Sequence, residues 1–171
     1  GPLATDWSVQ KRIYIPFHFI PPRPMAGGPG QFVTEADSPF ARALVNVAVA
    51  ERTPRARLCR LGIALHTYAD SWAHQGFSGR AHRENDIEDI HQWTGRRWRH
   101  LGLGNLALDF LPDIGHAEAG ALPDLSWVRW RYRRSGEDAE VERDNPRLFL
   151  QAARAIYVRL ARASRAAAGD R

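Results

Sequence analysis

The chain has 171 residues, 44% of them apolar and 25% charged, with a net charge of +5 at neutral pH. That length supports one domain with its own core, and no apolar run approaches the roughly 20 residues of a membrane-spanning helix. Cys59 is the only cysteine, which excludes an intramolecular disulfide and a cysteine-rich zinc site, so any metal must be held by His, Asp, Glu or a terminal amine.

No signal-peptide pattern opens the chain, and no repeat, low-complexity tract or linker divides it, so residues 1–171 read as a single domain. Residues 11–20 are apolar and β-branched but interrupted by Pro16, and read as an extended segment or short edge strand. Pro21 to Gly30, with four prolines and three glycines, is a loop. Asp37 or Ser38 can cap a helix with Pro39 in its first turn and an apolar face of Phe40, Leu44 and Val47; Pro54 ends it. A second helix runs from about Arg55 to His74, with Gly76 as its stop signal.

That second helix carries the most informative pattern in the chain. His66, Asp70 and His74 are spaced i, i+4, i+8, so on a helix they stack along one stripe. Their surroundings are aromatic and small rather than rich in Lys and Glu, which favours an enclosed face over an ordinary solvated ion pair. Two imidazoles and a carboxylate are the donor types that a zinc-like ion prefers. One helix cannot complete a coordination sphere, so other segments must approach it.

Residues 78–86 read as a surface loop, 86–100 show weak helical periodicity, and 102–112 mix glycine with leucine. Pro112 to Asp124 is turn-rich and holds Asp113, His116 and Glu118, which could supply further ligands or a general base, or simply cap turns. His18, among aromatics, is either a hydrogen-bonded core histidine or a further ligand. Residues 125–132 suit strand or helix, 135–142 a polar acidic loop. Asn145 caps a last helix with Pro146 at its first position and Leu148, Phe149, Ala152, Ile156, Leu160 and Ala163 on its face. Strong helices dominate, and the expected fold class is mainly α.

Lys11 is the sole lysine among 24 basic side chains. Arg96, Arg97 and Arg99 interleave with Trp93 and Trp98; Arg129, Arg131, Arg133 and Arg134 surround Trp130 and Tyr132. Such clusters can face nucleic acid or anionic lipid, but more often they are solvated faces with the aromatics turned inward. No P-loop, dinucleotide glycine pattern, Gly-x-Ser-x-Gly elbow or zinc-deaminase Pro-Cys-x-x-Cys is present.

The run Leu-Gly-Ile-Ala-Leu-His-Thr-Tyr-Ala-Asp-Ser-Trp-Ala-His-Gln resembles the zinc-binding helix of the phospholipase C and S1/P1 nuclease superfamily. A closer resemblance is to a bacterial family of unknown function. It rests on Pro-Phe-His-Phe (residues 16–19), the His-Thr-Tyr to Phe-Ser-Gly stretch (66–79), Gly-His-Ala before Pro-Asp (115–124) and Arg-Asp-Asn-Pro (143–146). These resemblances imply a helical domain with a phospholipase C/P1 nuclease-like fold and one to three divalent ions, zinc above all. His66 and Asp70 would bind the first ion, and His74 with His116 or Glu118 the second. His18 is a further candidate ligand, Asp70 a bridge, and Asp113 or Glu118 a proton acceptor. The closer family adds an N-terminal segment with histidine, and residue 121, a place for another, is alanine. A processed fragment, or a second polypeptide supplying the segment, is therefore expected. The implied activity is metal-dependent hydrolysis of a lipid or nucleic-acid phosphoester, with arginines near the cleft holding the phosphate. The alternative is a non-catalytic interaction or toxin-associated domain with a structural metal or a buried polar network.

Overall fold

The computed structural model describes residues 7–23, 31–102 and 114–169. Short helical turns come first: α1 (Trp7–Val9), a π-helical turn (Gln10–Tyr14) and α2 (Ile15–His18). Residues 11–18 are therefore helical, where an extended segment was expected. Pro16 is tolerated because it lies at the start of α2, where its missing N–H has no partner to lose.

The longer helices are α3 (Pro39–Val49), α4 (Pro54–Ala73) and α5 (Asn145–Gly169). Ser38 caps α3 by accepting the Ala41 N–H at 3.1 Å. The face α3 buries is Ala41, Val45 and Ala48, whereas Phe40 and Val47 are exposed. Small side chains win the interface because they let α3 lie close against α4. On α4 the buried stripe is Ala64, Thr67, Tyr68, Ser71 and Trp72. A polar clasp joins the three helices. Asp37 takes hydrogen bonds from Arg42, Tyr68 and Arg159, and Arg159 also donates to the Tyr68 hydroxyl at 2.7 Å.

A four-stranded antiparallel sheet corrects the expectation of a mainly α chain: the fold is mixed α/β. Its strands are β1 (Ile87–Trp93), β2 (Trp98–His100), β3 (Arg129–Arg134) and β4 (Glu140–Asp144), in the order β2-β1-β3-β4. The weak helical period over 86–100 has a structural cause. Ile87 and Ile90 are both buried although three residues apart, because the register shifts between Glu88 and His91, where Asp89 takes a positive φ of 52°. That bulge imitates helical spacing in a strand. Gly95, at φ 86°, turns the hairpin.

On β3 the alternation is strict. Trp130 and Tyr132 are buried, while Arg129, Arg131 and Arg133 face outward opposite the acidic β4. Arg129 pairs with Glu142 at 2.6 Å, Arg131 with Glu140 at 3.1 Å, and Arg131 also covers the Trp98 ring. The Arg129–Arg133 cluster is thus an ion-paired solvated face, and the expected acidic loop over 135–142 is in part its partner strand.

Two apolar clusters result. One joins Ile20, Val45, Tyr68, Trp72 and Ala152 among the helices; the other joins Phe77, Ile87, Ile90, Val128, Trp130 and Tyr132 around the sheet. The chain passes between them at Phe19–Ile20, directly after His18, and at Trp72–Phe77, which contains His74; both histidines belong to the site described next.

Candidate metal centre

His66 and Asp70 sit one turn apart on α4, and His74 is the residue that ends it, its N–H still bonded to the Asp70 carbonyl at 2.8 Å. The stripe divides between two groups. In the first, Oδ2 of Asp70 lies 2.7 Å from Nδ1 of His18 and 3.4 Å from Nε2 of His66. In the second, Nε2 of His74 lies 2.8 Å from Oδ1 of Asp124, and Nε2 of His116 lies 3.7 Å from Oδ2 of the same carboxylate. Each group offers two imidazole nitrogens and one carboxylate, all within 4.8 Å of one another. Such spacing suits ligands gathered around one cation at roughly 2 Å from each.

The groups adjoin. The rings of His18 and His74 are 5.6 Å apart, and those of His74 and His116 4.7 Å. They differ in exposure. The His66 side chain is 54% exposed and that of His18 32%, against 3% for His74 and 17% for His116. The imidazoles of the first group are the more open; those of the second lie beneath Phe19 and Phe77, while its carboxylate, Asp124, is 53% exposed.

Hydrogen bonding fixes the imidazoles of the second group. Nδ1 of His74 donates to the His18 carbonyl at 2.8 Å, and Nδ1 of His116 to the Gly120 carbonyl at 3.0 Å. A carbonyl can only accept, so both Nδ1 atoms carry hydrogen and both Nε2 atoms point at Asp124. Burial, reinforced by the neighbouring His74, pushes His116 down to about 4 and keeps it neutral. Its Nε2 lone pair then faces a carboxylate oxygen beyond hydrogen-bond reach. Two acceptors aimed at each other across 3.7 Å are repulsive unless a cation or a bridging donor such as water lies between them. For His74, burial also works to lower the pKa. The Asp124 hydrogen bond, the Asp70 charge and the His18 carbonyl outweigh it and hold the imidazole above its ordinary value. Burial likewise would raise Asp124, but its bond to His74 and the other histidines hold it low.

The scaffold around these ligands is satisfied by buried polar side chains. Arg143 donates to the carbonyls of Trp72, Ala73 and Gln75 at 2.7–3.0 Å, capping the end of α4 on which His74 sits. Arg134 adds bonds to the Gly76 and Glu84 carbonyls. Asn145, fully buried, donates to the carbonyls of Leu122 and Leu125 and accepts from the Trp130 indole, pinning the turn that presents Asp124. The expected capping role of Asn145 falls instead to Asp144, which accepts the Arg147 N–H at 3.1 Å. Gly79 and Gly115 receive the His18 segment: a Cβ at Gly79 would lie 2.3 Å from Ile15, and one at Gly115 2.0 Å from the Phe19 ring.

Of the residues singled out from sequence, His18, His66, Asp70, His74 and His116 converge here. Glu118 does not join either group; its carboxylate accepts the Ile87 N–H and ties the loop to β1. Asp113 lies outside the described residues. Asp124 was missed, although the Pro-Asp that contains it stands at the end of the very segment holding His116. His82, His91 and His100 belong to neither group.

No curated protein and no solved structure matches the chain. Nothing in these comparisons supports the likeness to phospholipase C and the S1/P1 nucleases. The four segments that carry the closer resemblance, 16–19, 66–79, 115–124 and 143–146, are the ones that meet at this centre. A family model does match, over residues 3–171, and the chain belongs to that family, described as a family of unknown function (DUF6765).

Proposed function

We propose that the chain is a divalent-metal-dependent hydrolase of phosphoesters, with zinc as the preferred ion. One observation carries this reading: two adjoining groups, each of two histidines and one aspartate, the first with exposed imidazoles and the second with covered ones. Nitrogen and carboxylate donors without thiolate suit zinc and related borderline ions. A pair of such ions lowers the pKa of a bound water and stabilises charge on phosphoryl oxygens. The roles divide by exposure. His18, His66 and Asp70 hold the ion that meets substrate; His74, His116 and Asp124 hold a supporting ion on the side covered by Phe19 and Phe77.

The rival reading is a non-catalytic interaction or toxin-associated domain with a structural metal or a polar network. It is favoured by His74, whose two nitrogens both lie 2.8 Å from oxygen acceptors and are satisfied as an imidazolium with no metal.

Elemental analysis of protein purified without added metal separates the two, combined with turnover of simple phosphoesters before and after chelation. The hydrolase reading expects about two zinc ions per chain and chelator-sensitive turnover. One tightly held ion without turnover, or none, overturns it.

A further inference from the structure

A groove of about 380 Å³ opens beside the exposed group. Its walls are Ile13, Tyr14 and Phe17 from the N-terminal helical segment, and Gly62 and Ile63 from α4; His18 and His66 stand at its end. That volume lies within the range of small-molecule sites, though at its lower end. Ile13, Tyr14 and Ile63 are all at least 40% exposed, so this apolar surface faces solvent rather than a core. Among the described residues that line it, only the two histidines are ionisable near neutral pH, and none is an arginine. Several of the chain's arginines are paired on the sheet face.

From this we infer that the groove is a substrate subsite for an apolar alcohol, and that the substrate is its phosphate ester rather than a polyanion. The inference rests on the metal-dependent reading above. The phosphoryl group would sit at His18, His66 and Asp70, with the alcohol's carbon chain along Ile13, Phe17 and Ile63. A nucleic acid would need cations along its backbone, and the described residues that line this groove offer none. The reaction is hydrolysis. Water oxygen bonds to phosphorus, the phosphorus–oxygen bond to the alcohol breaks, and the alcohol leaves with a proton supplied, on balance, by the attacking water. No oxidant or further co-reactant is required.

Gly62 gives a clean test. A Cβ there meets nothing within 4 Å, so the side chain of Gly62→Leu starts in open space at the groove wall, in a helix where glycine is the weaker residue. Zinc is titrated first, with binding of acetohydroxamate and octanohydroxamate to the zinc-loaded protein measured next. Both probes carry the same metal-binding head, so their comparison does not depend on phosphoester chemistry. The groove predicts at least about tenfold tighter binding of the eight-carbon probe. Gly62→Leu should abolish most of that advantage while zinc stoichiometry and thermal midpoint hold or rise. Release of phosphate from methyl, butyl and octyl phosphate should show KM falling with chain length in the parent and not in the variant. If zinc binds and the two hydroxamates bind equally, or the advantage survives Gly62→Leu, the groove is no subsite and this inference falls alone. If zinc does not bind, the hydrolase reading falls and takes the inference with it. If the chain-length preference holds for hydroxamates but no phosphate ester is turned over, the subsite stands and phosphate-ester substrates are overturned.

Discussion

The backbone carbonyl of His18 accepts the Nδ1 proton of His74 at 2.8 Å, while the His18 imidazole reaches Asp70 at 2.7 Å. One residue therefore serves both groups, with its side chain in the first and its main chain orienting a ligand of the second. The consequence is a testable asymmetry. His18→Ala removes an imidazole but keeps the carbonyl, so it should lose the exposed ion and retain the buried one. Gly115→Ala puts a methyl into the Phe19 ring and forces a side chain at φ 64°, displacing the segment and its carbonyl together. It should lose both ions. Zinc content measured on the two purified variants distinguishes them, and equal losses would show that the carbonyl does not matter.

Asn145→Ala should act on Asp124 from a distance. Removing the amide leaves the Trp130 indole and the Leu122 and Leu125 carbonyls without their buried partner, at a cost of about 2–4 kcal/mol. The turn carrying Asp124 then loosens. Denaturant unfolding should show the loss of stability, and calorimetric zinc titration should show weakened binding of the buried ion with the exposed one retained. Normal zinc affinity in a destabilised Asn145→Ala would limit this residue to a structural role.

Much of this centre was legible in the sequence because it rests on residue type at fixed spacing. His66, Asp70 and His74 were found by helical geometry, and His116 by its place in a loop with little else to do. Asp124 was hidden because a Pro-Asp at the end of a turn-rich stretch reads as punctuation. The sheet was hidden for a different reason. A bulge at Asp89 gave β1 a helix-like spacing of isoleucines, and β4 has only Val141 to break a run of charges. The sense of the charges, acidic facing basic, became visible only with strand pairing. Tertiary context also reversed α3, where Ala41 and Ala48 are buried in place of the larger Phe40 and Val47.

Arg143→Met should resemble a lost helix cap with added penalty. Arg143 is almost fully buried, and its fork serves three carbonyls at the end of α4. A destabilisation of about 2–4 kcal/mol is expected, and Arg143→Lys should recover little of it because one ammonium cannot span the Trp72 and Gln75 carbonyls together. Chemical denaturation of both variants checks this. Near-complete rescue by lysine would mean that charge, not fork geometry, holds the end of α4.

The metal-free protein should lose stability on both sides of neutrality, for opposite reasons in two neighbouring histidines. His74 titrates above its ordinary 6.5 because of Asp124, so its contribution is present below that value and disappears as pH rises through the folded pKa. His116 titrates at about 4, well below 6.5, because burial and His74 disfavour its charge. Between those values the unfolded chain takes up a proton that the folded chain refuses, so stability falls as pH drops from 6.5 towards 4. A shift of that size corresponds to about 3 kcal/mol when fully developed. Ionisable groups away from this pair add slopes that are common to parent and variant. His116→Gln should flatten the acid limb while leaving the alkaline limb; His74→Gln should flatten the alkaline limb and also weaken the acid one, because its charge helps to hold His116 low. Denaturant midpoints measured from pH 4 to 9 in the presence of chelator provide the test. An unchanged acid limb in His116→Gln would mean that its imidazole is not held neutral by burial, and the facing lone pair at Asp124 would no longer argue for a cation.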